Sequence, residues 1–82
     1  MQIRLELFGP QAQMAGTRSI YLEFADHQSS CAAIRTKLAK DYPSLAGSLP
    51  GSRFAVNHEF APEAQMVHSS DSIALIGMVS GG

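Results

Sequence analysis

The sequence predicts an α+β domain, a mixed sheet of four to five strands covered on one face by one main helix. Three observations carry this reading. Residues 2–8 and 18–24 alternate apolar and polar side chains with period two, the mark of half-buried strands. Residues 31–41 place apolar side chains at helical spacing. Two further strand-like stretches, near residues 53–57 and 72–77, follow that helix.

In the first strand Ile3, Leu5 and Leu7 share one face, and Gln2, Arg4, Glu6 and Phe8 the other. Gly9-Pro10 ends it. Gln11 to Ala15 can form one or two helical turns closed by Gly16 as C-cap. The next strand, Arg18 to Phe24, turns Ile20, Leu22 and Phe24 inward, and the short spacing allows an antiparallel pair with an elaborated turn. Asp26-His27-Gln28 is a polar break. Ser29 or Ser30 then caps a helix that runs to about Asp41, with Cys31, Ile34 and Leu38 on its apolar stripe. Arg35, Lys37 and Lys40 lie off the stripe, and late basic residues suit the helix dipole.

Tyr42-Pro43 stops the helix. Residues 43–52, PSLAGSLPGS, read as a connector. Phe54 and Val56 share a face of a short strand, Asn57-His58 is a tight turn, and Met66-Val67 marks one further short strand. Ser72 to Gly77 is the last strand, with Ile73 and Leu75 inward. The order β-β-α-β-(β)-β is that of the β-grasp, or ubiquitin-like, topology, in which the first and last strands lie parallel at the sheet's centre. Residues 1–78 are expected to form this domain and residues 79–82 a flexible tail.

Composition bounds the function. Eighty-two residues make one domain with little room for a catalytic cleft of its own. A net charge of −1 and no Lys/Arg run argue against a nucleic-acid partner. There is no signal-peptide pattern and no apolar run long enough to span a membrane, so a cytoplasmic protein is expected. The single cysteine, Cys31, sits on the helix's apolar stripe and reads as a buried small hydrophobe rather than a reactive thiol. His27, His58 and His68 are scattered through loops and do not suggest a metal site. No nucleotide-binding or nucleophile motif is present, so no bound cofactor is expected.

Two features point elsewhere. Phe8, Phe60 and Ile76 are apolar side chains at outward positions. Either they cluster as a partner-binding patch, or the two phenylalanines fold back into the core edge. The other feature is the ending Val79-Ser80-Gly81-Gly82, with Met78 before it. Glycines without Cβ let a backbone pass through a narrow channel and leave the terminal carbonyl carbon unshielded. That carboxylate is ionised at neutral pH and a poor electrophile. To enter acyl chemistry it needs activation by a partner enzyme, most simply as an acyl-adenylate made from ATP.

The whole chain resembles the small subunit of molybdopterin synthase, a family of sulfur carriers in the ubiquitin-like superfamily. The features that carry the resemblance are the length, the strand ending Leu7-Phe8, the loop closing at Gly16, the Ser-capped helix, Ala55-Val56-Asn57, the Asp71 turn and above all the ending VSGG. Two places depart from the family's pattern: Gly77-Met78 stand where a Pro-Pro pair is usual, and Gln11-Ala12-Gln13 where an Arg-Glu pair is frequent. The resemblance implies a non-catalytic carrier subunit. Gly82 is adenylated by an E1-like enzyme and converted to a thiocarboxylate with sulfur from a persulfide donor. The tail, with Gly81, then enters the active site of the large subunit and gives up sulfur to cyclic pyranopterin monophosphate. Phe8, Phe60, Ile76, Met78, Val79 and Ser80 are the residues expected to contact the partner, and a heterotetramer is the expected assembly. A carrier for thiamine or tRNA thiolation, a ubiquitin-like protein modifier and a plain binding module remain as alternatives.

Overall fold

The computed structural model describes residues 1–77. Met78, Val79, Ser80, Gly81 and Gly82, to which the sequence assigns roles, lie outside the described residues. Seven strands, two α-helices and a three-ten helix follow in the order β1 (Gln2–Leu7), α1 (Gly9–Ala15), β2 (Ser19–Glu23), β3 (Ser29–Ser30), α2 (Cys31–Asp41), the three-ten helix (Pro43–Gly51), β4 (Ser52–Val56), β5 (Glu59–Ala61), β6 (Met66–Val67) and β7 (Ile73–Gly77).

Five strands form one mixed sheet in the order β2-β1-β7-β4-β5, and β3 and β6 form a separate two-stranded sheet. The first and last described strands are parallel neighbours, with Leu5 opposite Ile73 and Leu7 opposite Leu75. All other pairings are antiparallel. This is the β-grasp arrangement. Alternation placed the inward residues correctly: Ile3, Leu5, Leu7, Ile20, Leu22, Phe54, Val56, Ile73 and Leu75 are all buried.

Helix α2 covers the sheet. Ser30 caps it, its Oγ accepting from the Ala33 N–H at 3.1 Å. Two more first-turn N–H groups, of Cys31 and Ala32, donate to the carbonyls of Gln65 and Glu63 at 2.9 Å, so the loop after β5 completes the cap. Cys31, Ile34 and Leu38 are fully buried. Burial, and to a lesser degree the Glu63 charge, push the Cys31 thiol upward, which keeps it protonated and inert.

Three elements differ from the sequence reading. The connector after α2 is a three-ten helix whose Leu45 and Leu49 sit in the core, where their burial holds the segment against the domain. The stretch after Asn57-His58 is a strand, β5. Asn57 and His58 have φ of 52° and 70°, a two-residue hairpin turn that returns the chain directly onto β4. Ser29-Ser30 not only precede the helix but pair with Met66-Val67. Arg35, off the apolar stripe as expected, is a tie between elements. It grips Glu63 through two hydrogen bonds of 2.8 and 2.9 Å, donates to the carbonyls of Leu49 and Ser52, and lies over the Phe54 ring. That fork of donors matches a carboxylate and holds the Glu63 carboxyl below its ordinary range.

Candidate functional site: the open sheet face and the end of the last strand

The face of the sheet away from α2 is divided. On the β2–β1 side it is polar: Arg4 reaches Glu6 at 3.3 Å and Ser19 at 3.0 Å, and Tyr21 is exposed. On the β7–β4–β5 side it is apolar. Register places Ala74, Ala55 and Phe60 in one row, and Ile76 beside Arg53 in the next.

Of the three outward hydrophobes, Phe8 is 51% and Phe60 52% exposed, so neither folds back into the core. Phe8 is no longer in the strand. It stands at the N-cap of α1 with extended backbone, beside the last strand. Phe8 and Ile76 line a common cleft; Phe60 does not. Phe60 lies across the same face on the edge strand, with the Arg53 guanidinium stacked 4.4 Å from its ring centroid. The arrangement is therefore an apolar cleft at one end, a cation stacked on an aromatic ring at the other, and Ile76 beside Arg53 between them.

The cleft, about 450 Å³, lies between α1, the three-ten helix and the end of β7. Its walls include Phe8, Met14, Gly47 and Ile76, and the buried Gln11 and the exposed Gly77 also line it. Gly77, the last described residue, lines this cleft.

In the sequence Gln11 stands out only as a departure from the family's pattern, and no periodicity marks it. It is nonetheless 3% exposed. Its Nε2 donates to Ser52 Oγ at 2.6 Å and Ser48 Oγ at 3.1 Å. Its Oε1 is buried without a hydrogen-bond partner among the described residues. A Cβ at Gly77 would stand 3.3 Å from that oxygen, closer than a methyl group sits comfortably against a fixed neighbour. The two departures at Gln11 and Gly77 thus meet in space: the amide occupies room that a side chain at position 77 would need.

At the far end of the sheet the Asp71 turn is held by its own carboxylate. Asp71 accepts from the His68 N–H at 2.7 Å and from Asn57 Nδ2 at 3.1 Å. These bonds, the His68 N–H foremost, hold the Asp71 carboxyl below its ordinary range. This turn sets the start of β7. Among the described residues no group of three or more His, Cys, Asp or Glu could hold a metal ion, and no helix is long and apolar enough to cross a membrane.

Known proteins share this fold. Residues 5–82 match the ThiS family. The molybdopterin synthase sulfur carrier subunit of Dictyostelium discoideum is 32% identical over 83 residues, which cover 99% of this chain and 96% of that protein. The crystal structure of SAMP1 from Haloferax volcanii matches with a TM-score of 0.80 at 24% identity over 100% of both chains. A chain in the complex of subunits 1 and 2 of the Helicobacter pylori molybdopterin-converting factor matches with a TM-score of 0.69 at 19% identity, again over 100% of both. The two structural likenesses concern the fold, while the family match spans nearly every residue, the ending included: this chain belongs to the ThiS family of β-grasp proteins.

Proposed function

We propose that the protein is the sulfur carrier subunit of a molybdopterin synthase. The observation that carries this reading is the 32% identity, along 99% of the chain, to a molybdopterin synthase sulfur carrier subunit. The geometry agrees with it. The one cysteine, Cys31, is buried, and β7, the strand that precedes the ending, is paired along both edges by β1 and β4. In this reading the body presents the group at the end of the chain and the partners supply the chemistry.

In this reading an E1-like enzyme uses ATP to adenylate the carboxylate of Gly82, releasing pyrophosphate. A persulfide donor attacks the acyl carbon and AMP leaves. Cleavage of the resulting acyl disulfide by a thiol yields the thiocarboxylate and a disulfide. The large subunit then receives Gly81 and Gly82 in its active site, where the ionised sulfur is a soft nucleophile toward cyclic pyranopterin monophosphate. Phe8, Ile76 and Phe60, with Met78, Val79 and Ser80, dock on the large subunit, and two small subunits per heterotetramer supply the two sulfurs of the product. All of this takes place in the cytoplasm.

Intact mass spectrometry tests the reading. The chain is incubated with ATP, the activating enzyme and a persulfide donor, then with the large subunit and cyclic pyranopterin monophosphate. The expected result is a mass gain of one sulfur in place of one oxygen, lost again when the pterin is added. Sulfur loading that no pterin discharges points to another thiolation pathway. Attachment to a lysine of another protein in place of sulfur loading defeats the carrier reading.

A further inference from the structure

Strand β2 is an edge of the sheet: β1 pairs with one side of it, and no strand pairs with the other among the described residues. Its ladder with β1 decides which backbone groups face the open side. Leu7 N–H donates to the Arg18 carbonyl and Phe24 N–H to the Met1 carbonyl, and between them Leu5 lies opposite Ile20 and Ile3 opposite Leu22. Bonded and unbonded pairs alternate along an antiparallel ladder. Arg18, Ile20, Leu22 and Phe24 therefore turn their N–H and C=O groups to β1, and Ser19, Tyr21 and Glu23 turn theirs outward. Ser19 is closed off by a neighbour, since Thr17 Oγ1 accepts from its N–H at 3.3 Å and donates to its carbonyl at 3.1 Å. The outward groups of Tyr21 and Glu23 have no partner among the described residues, and both residues are exposed. Such groups on a sheet edge are a template for another strand. The two ends of this edge also differ in charge. At its start stand the exposed Arg18 and Arg4, whose guanidinium reaches Ser19 Oγ at 3.0 Å and Glu6 at 3.3 Å. At its finish stand the exposed Glu23 and Asp26, with the N-terminal ammonium on the carbonyls of Phe24 and Asp26. Lys37, over the Phe24 ring, is paired with Asp41. With Glu6 and the ammonium included, the start is net positive and the finish net negative.

We propose that a second copy of this chain pairs antiparallel along β2, with Tyr21 opposite Glu23 of the second copy, so that two five-stranded sheets become one. This register uses every outward group that Thr17 leaves open. Tyr21 and Glu23 of the second copy exchange two hydrogen bonds, and the two-fold axis between the facing Leu22 residues repeats them. A register centred on Tyr21 would set Ser19 opposite Glu23 and require Thr17 to let go. The charges select the direction and the occupant. Antiparallel pairing lays the positive start of one edge along the negative finish of the other, whereas parallel pairing would join like ends. Arg18 comes beside Asp26 of the second copy, and Arg4, opposite Tyr21 in the ladder, stands in one cross-strand row with Glu23 of the second copy. An unrelated strand would meet the same backbone groups without this match. The contact is small, so the dimer is weak, with a dissociation constant on the order of 100 µM. The edge lies across the sheet from β5 and Phe60, and the proposal does not rest on the docking of the large subunit.

The test is sedimentation equilibrium of the full chain at concentrations up to about 1 mM, with amide resonances followed over the same range. The wild type is expected to dimerise, less so as salt is raised. The amide resonances of Tyr21 and Glu23 should move with concentration, and that of Leu22, bonded to β1, should move much less. Arg18→Glu sets two carboxylates together and should weaken the dimer by about tenfold. Adding Asp26→Arg to it restores opposite charges with their places exchanged and should restore the dimer. Both residues are exposed, so these variants should melt near the wild-type temperature. Tyr21→Pro removes an outward N–H and no bond to β1, and should also leave a monomer. A wild type that stays monomeric at about 1 mM overturns the proposal. So does a dimer that Arg18→Glu leaves intact, or one that is lost with Phe60→Asp and kept with Arg18→Glu, which would place the contact on the apolar side of the open face. Dimerisation that appears only when residues 78–82 are deleted also overturns it, because the chain's own ending would then be the occupant of the edge.

Discussion

Ile34→Ala tests whether helix α2 is held by the stripe that defines it. Ile34 has no exposed surface and lies midway along the helix between Cys31 and Leu38. The substitution removes three carbons, worth about 2.4 kcal/mol at about 0.8 kcal/mol per buried methylene. The surrounding β-sheet and three-ten helix cannot close fully over the gap, so a cavity term adds to this and the total should be about 3–4 kcal/mol. A domain of this size has about 4–12 kcal/mol in all. The variant should thus lose between about a quarter and nearly all of its margin. The assay is urea denaturation followed by far-ultraviolet circular dichroism, with Lys40→Ala on the exposed side of the same helix as control. With a slope of about 1 kcal/mol per molar urea, the midpoint should fall by about 3 M. A loss under about 0.5 kcal/mol, no larger than a surface change, would refute the assignment of Ile34 to the load between helix and sheet.

Four further outcomes are expected. Ile76→Asp should weaken binding to the large subunit by about 2 kcal/mol or more if the site is a buried anchor, with the circular dichroism spectrum unchanged; titration calorimetry reads the first and spectroscopy the second. Deleting Gly82 should abolish sulfur loading, since the reacting carbon is displaced by up to about 3.6 Å, beyond the tolerance of an active site; mass spectrometry of the loaded chain decides. Gly77→Ala should destabilise the wild type through the Gln11 amide yet be harmless in a Gln11→Ala background, giving a coupling of about 0.5–3 kcal/mol in a double-mutant cycle by urea melts. Asp71 and Glu63 both have carboxyl groups depressed in the folded state, so each adds stability above its unfolded value near about 4 that is lost as pH falls through the folded value. The melting temperature should therefore drop on acidification below about pH 4, and the slope should be flatter in the Asp71→Asn, Glu63→Gln double variant.

Much of the fold was legible because burial leaves a period. Ile3, Leu5 and Leu7 alternate, as do Ile73 and Leu75, and Cys31, Ile34 and Leu38 repeat with the helix. The three-ten helix was hidden by its prolines, glycines and serines, although Leu45 and Leu49 were the visible hint that it turns a face inward. Strand β5 was hidden because it is three residues long and two of them are exposed, but a two-residue turn at Asn57-His58 already demands a returning strand. The pairing of Ser29-Ser30 with Met66-Val67 joins segments distant in the chain and leaves no local trace. The site divides in the same way. Alternation set Ile76 on the open face, but it could not show that Phe8 joins Ile76 in a cleft while Phe60 stacks under Arg53. Gln11 was least legible of all, since a lone polar residue in a short helix gives no sign that three other residues will close around its amide.

The placement of β7 has a mechanical side. Its neighbours β1 and β4 hold it from both edges, one parallel and one antiparallel. A tug on the chain beyond Gly77 runs along the strand, so it loads the hydrogen bonds of both ladders together, in shear. An edge strand pulled sideways would instead yield one bond at a time, like a zipper. A partner that draws the end of the chain into a narrow channel therefore pulls on the central strand of the sheet, and the load is shared between its two ladders.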